Sequence, residues 1–85
     1  MMVGEIFALV TGEMGAAHEK YGAFTSSHEA LGVLIEELDE LRAAIHDNDA
    51  RKVRDEAIQV SAVATRLAHC CQGAAFRHRS GMEGS

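Results

Sequence analysis

Two stretches of helical periodicity, one ending near His46 and one beginning near Ala50, are separated by only the three polar residues Asp47-Asn48-Asp49, and the 85-residue chain contains no proline. A turn that short makes successive helices antiparallel neighbours. Upstream of it, Leu31, Leu34, Ile35, Leu38, Leu41 and Ile45 recur at intervals of three and four, which predicts one apolar stripe on a helix. Ser26-x-x-Glu29 is a capping-box pattern at its start, where a hydroxyl and a carboxylate satisfy backbone donors that a first turn leaves free. Downstream, Asp49 is positioned to cap a helix from Ala50 to about Gln72, and Gly73 is a suitable stop.

A further helix is predicted before the hairpin. Val3, Ile6, Phe7, Val10, Met14 and Ala17 give an amphipathic pattern over residues 3 to 20, which Gly22 ends. Gly12 and Gly15 each weaken it by about 1 kcal/mol relative to Ala, which suggests a neighbour packed closely on that side. Residues 1–75 form the expected helical domain, and 76–85, without sustained periodicity, read as a tail. The expected class is all-α, an antiparallel helical hairpin plus an N-terminal helix.

A chain of this length buries only about 60–65 % of its unfolded surface. Its hydrophobic share of 47 % is dominated by Ala, with three Phe, one Tyr and no Trp, so the core is thin. Assembly into a helical-bundle homo-oligomer, a dimer or tetramer, is therefore expected. Net charge is −5 and the pI is near 5.4, which argues against a nucleic-acid polymer as partner, because that surface needs a basic stripe. Cys70 and Cys71 are adjacent, unlike spaced zinc or redox pairs, and read as small buried hydrophobes in a reducing cytoplasm. No apolar run approaches about 18 residues, and the first helix carries Glu5 and Glu13 with no basic start. Neither a membrane span nor a signal peptide is expected, and the predicted location is cytoplasmic.

Charge placement carries the functional signal. At about 100° per residue, Glu56 falls within roughly 60° of Val53, Val60, Val63, Leu67, Cys70 and Cys71, where a core should be. A buried carboxylate must be protonated, paired with a cation or bound to a metal. Pairing with Lys52 one turn earlier is a surface contact of about 0.3–0.5 kcal/mol, weak compensation for burial. On the preceding helix the run Glu36-Glu37-Leu38-Asp39-Glu40 concentrates four carboxylates. Standing alone, such a run is a solvated face.

Its register changes that reading. Glu37 and Glu40 are neighbours on one helix face, beside a shallower strip of Ala30, Val33, Leu41 and Ala44. With the turn near residue 48, Glu40 comes level with Glu56, and Glu37 with Gln59 one turn farther on. Oxygen-rich sites of this kind suit Mg²⁺ or Mn²⁺, and no Cys/His cluster has zinc spacing. Mg²⁺ sites are commonly completed by substrate phosphates, so phosphoanhydride hydrolysis follows, with Glu36 or Glu40 as general base on water.

Lys20-Tyr21-Gly22, the Ser/His/Glu cap, Glu36-Glu37-Leu38-Asp39-Glu40-Leu41 and Arg54-Asp55-Glu56-Ala57-Ile58-Gln59 together resemble the MazG-like all-α nucleoside triphosphate pyrophosphohydrolases. That family pairs E-x-x-E on one helix with E-x-x-D on the next. The resemblance implies Mg²⁺-dependent cleavage of a nucleoside triphosphate to the monophosphate and pyrophosphate in a dimer or tetramer. Glu37, Glu40 and Glu56 match metal-binding positions; Gln59 stands where the family has its aspartate and supplies an oxygen but no charge. Tyr21 falls where relatives place an aromatic near the base, and His28 is a candidate substrate contact. Instead of the basic C-terminal helix of the family, the chain has Arg77, His78 and Arg79. The alternative function is a catalytically inactive helical interaction or regulatory protein of the same fold.

Overall fold

The computed structural model describes residues 1–73 and contains three helices: α1 (Val3–Tyr21), α2 (Ser27–His46) and α3 (Ala50–Cys70). The tail from residue 76, with Arg77, His78 and Arg79, lies outside the described residues. Each boundary has a local cause. The Asp49 carboxylate accepts from the backbone N–H groups of Arg51 and Lys52 at 3.1 and 3.2 Å, satisfying two first-turn donors of α3. The Ser26 hydroxyl accepts from Glu29 N–H at 3.0 Å. The return half of the predicted box reaches one residue farther: Glu29 Oε1 accepts from Thr25 N–H at 2.8 Å.

Turn chemistry then sets the path. Gly22 stops α1 at φ 76°, a left-handed value that glycine adopts without a Cβ clash, and its N–H donates to His18 O at 2.8 Å. Asn48, at φ 57°, reverses the chain between α2 and α3. Asparagine tolerates that region better than most side chains.

α3 is the central element, packing along both α1 and α2. Against α1 the buried residues are Val10, Ile58 and Ala62, with Ile6 and Met14 beside them. Against α2 they are Phe24, Ala30 and Val63, with Val33, Leu34, Leu67 and Cys70 at the margin. Hairpin geometry makes α2 and α3 antiparallel, and α1 runs back alongside α3 in its own direction. No described helix is long and apolar enough to cross a membrane.

Three expectations about packing are corrected. In α2 the small-residue strip faces inward: Ala30 and Ala44 are buried, whereas Leu31, Ile35, Leu38 and Ile45 of the larger stripe are 45–54 % exposed. Small side chains at the contact let the helix axes come close, which turns the bulkier flank outward. Gly12 and Gly15 have no neighbouring heavy atom within 4 Å of an added Cβ, so no described helix packs on them. Of the cysteines, Cys70 is half-buried and Cys71 is exposed.

Candidate metal centre

The hairpin register does what the spacing predicted. One carboxylate oxygen from each of Glu37, Glu40 and Glu56 lies within 4.8 Å of the others, two carboxylates supplied by α2 and one by α3. Glu37 and Glu56 are half-buried and Glu40 is exposed. Glu37 Oε1 and Glu56 Oε1 are screened from solvent and accept no hydrogen bond. Such oxygens are rare in folded proteins, where buried polar atoms nearly always have a partner.

The electrostatics follow from this crowding. Burial pushes the Glu37 carboxyl above its ordinary value, and the charges of Glu40, Glu56, Glu36 and Glu13 push the same way. Glu56 is raised first by burial and then by the neighbouring Glu40 carboxylate, with Asp55 adding to it. Lys52 opposes this only weakly. Its ammonium pairs with Asp47 at 3.9 Å, and Asp55 with Arg54 at 3.1 Å, so neither neutralises the cluster.

Hard divalent cations match this donor set: oxygen only, multiply negative and incompletely hydrated. Oxygens bound to one octahedral Mg²⁺ at about 2.1 Å lie roughly 3.0 Å apart when cis and about 4.2 Å when trans, so side-chain rotation has to draw the three carboxylates together around the ion. The residues present fit such an ion.

A cleft of about 510 Å³ opens beside the cluster, walled by α1 and α2 and floored by α3. Glu37 belongs to both cleft and cluster. Each wall repeats a seven-residue interval, Glu13 to Lys20, Glu29 to Glu36 and Gln59 to Arg66, which is about two helical turns or 10 Å. Consequently the cleft is polarised. Glu13, Glu36, Glu37 and Gln59 lie toward one end, and Lys20, Tyr21 and Arg66 toward the other. Glu29 also lines that far end, but its carboxylate is held by the Thr25 backbone.

Of the candidate residues, Glu36, Gln59 and Tyr21 line the cleft, Tyr21 with 71 % of its surface exposed. Glu40 and Glu56 complete the cluster with Glu37. His28 is exposed and does not line the cleft. Glu13, Lys20 and Arg66 enter without having been given a role from sequence. The Arg66 guanidinium lies 4.1 Å from the centre of the Phe24 ring and donates to Gly22 O at 3.3 Å, which ties the α1–α2 connection to α3. Arg66 stands two turns beyond Gln59 on the same face, a repeat that sequence alone could have revealed. No protein-family model, curated protein or solved structure matches this chain.

Proposed function

We propose that the protein is a Mg²⁺- or Mn²⁺-dependent nucleoside triphosphate pyrophosphohydrolase of the MazG-like kind, working as a homo-oligomer. The observation that carries this reading is the convergence of Glu37, Glu40 and Glu56 with two solvent-screened oxygens left without partners. A cation there neutralises the cluster and stabilises charge on the phosphates of a bound substrate. Lys20 and Arg66, about 10 Å along the cleft, attract the remaining phosphate charge. Tyr21 presents an exposed ring beside them for the base.

With Glu40 in the cluster, Glu36, which lines the cleft beside Glu37 on α2, acts as general base. It takes a proton from water as the water oxygen bonds to the α-phosphorus. The α–β phosphoanhydride bond breaks, and pyrophosphate leaves with the bonding electron pair.

A pyrophosphate-release screen of the common ribo- and deoxyribonucleotides with Mg²⁺ and Mn²⁺, run beside Glu56→Gln, tests the proposal. Metal-dependent release that Glu56→Gln abolishes is the expected result. Absence of release with every nucleotide overturns it in favour of the helical interaction protein.

A further inference from the structure

Part of the larger apolar stripe of α2 is left uncovered by the described residues. Leu31, Ile35, Leu38 and Ile45 are 49, 50, 45 and 54 % exposed, and at about 100° per residue they fall with Arg42 in a sector roughly 80° wide. Monomeric proteins seldom gather that many large apolar side chains into one exposed strip. We infer that this face binds a second copy of the chain, with the two α2 helices antiparallel about a twofold axis at Leu38.

Spacing is the first argument. Leu31 and Ile45 each lie seven residues from Leu38, so the stripe reads alike in both directions. A twofold antiparallel contact requires such self-complementarity, because every residue must meet its counterpart reflected through the axis. Leu31 then faces the partner's Ile45, and Leu38 faces itself.

Charge and area agree. Arg42, the one charged residue in the stripe, is bonded to Asp39 at 3.1 Å, so the surface brings no unpaired charge to the contact. The four half-exposed side chains present roughly 90 Å² each, or about 700 Å² across both copies. Interfaces are about 60 % apolar, which scales this to roughly 1,200 Å² in total, the lower bound for a specific stable contact. Glu36 and Glu40 lie about 140–180° round the helix from the stripe, so pairing leaves the cleft open.

This deepens the homo-oligomer of the proposed function, but its test reads mass and geometry instead of chemistry. Light scattering on the full chain across a micromolar concentration series should give twice the 9.1 kDa chain mass. Leu38→Glu, which sets two carboxylates together on the axis, should halve it while circular dichroism stays helical. Should that variant misfold, oxidative cross-linking decides. In a Cys70→Ser, Cys71→Ser background, Leu38→Cys should cross-link to itself. Leu31→Cys should not, since its two copies lie about 20 Å apart, yet it should cross-link when mixed with Ile45→Cys. A single-chain mass for the wild type overturns the inference and leaves the stripe to a different protein. So does self-cross-linking at position 31, or no cross-link at position 38. A two-chain mass without pyrophosphate release leaves this interface standing and removes only the enzymatic reading.

Discussion

Two carboxyl groups, Glu37 and Glu56, carry most of what is unusual in this chain, because both are held above the ordinary 4.5 by burial and by each other's neighbours. Their folded-state affinity for protons exceeds that of the unfolded chain, so the folded state binds more protons just above pH 4.5. The sign follows: their contribution to stability is most favourable below that pH and declines as pH rises through the raised values. Thermal melts without metal should show this loss as pH rises above about 4.5, and Glu56→Gln should flatten it. Mg²⁺ should reverse it at neutral pH. At tenfold excess over Kd the ion adds about 1.4 kcal/mol, a rise in Tm of roughly 6–10 °C for a chain this small. An equal response in Glu56→Gln would remove the metal from the account. Gln59 lines the cleft beside Glu37 without supplying charge. Gln59→Asp should tighten Mg²⁺ binding and raise turnover, whereas in a protein with no metal it only adds a charge to an already repulsive site and lowers Tm.

At the level of the helices, stability resides in caps and turns as much as in the core. Asp49 satisfies two backbone donors of α3, and Asp49→Ala should cost about 1 kcal/mol, seen as a lower midpoint in urea. Gly12 and Gly15 lie inside α1 with open space around them, so Gly12→Ala and Gly15→Ala should each stabilise by about 1 kcal/mol. Failure of both to raise Tm would mean that something covers that side of α1. Element boundaries were legible because they depend on neighbours a few residues apart: a hydroxyl at Ser26, a carboxylate at Asp49, a glycine at position 22.

Across the whole molecule, α1 and α2 are held apart by α3, and the space between them becomes the polarised cleft. If the α2 stripe pairs two copies, Tm should rise with protein concentration, since folding and association are then linked by mass action. Leu38→Glu should abolish that dependence. The glutamate cluster was readable from the sequence because a three-residue turn fixes the register of the hairpin, and register alone brings Glu40 level with Glu56. Lys20, Arg66 and Glu13 were not readable as partners of that cluster. Their approach depends on how α1 docks on α3, and no turn sets that angle.

By itself, the order of residues determined where each helix starts and stops, that α2 and α3 fold back on one another, and which acidic side chains share a level. These are matters of local hydrogen bonding and chain length. Only the tertiary structure decided which flank of α2 turns inward. Rotation about a helix axis is set by how closely two surfaces can approach, and Ala30 and Ala44 permit a closer approach to α3 than Leu31, Leu38 and Ile45 do.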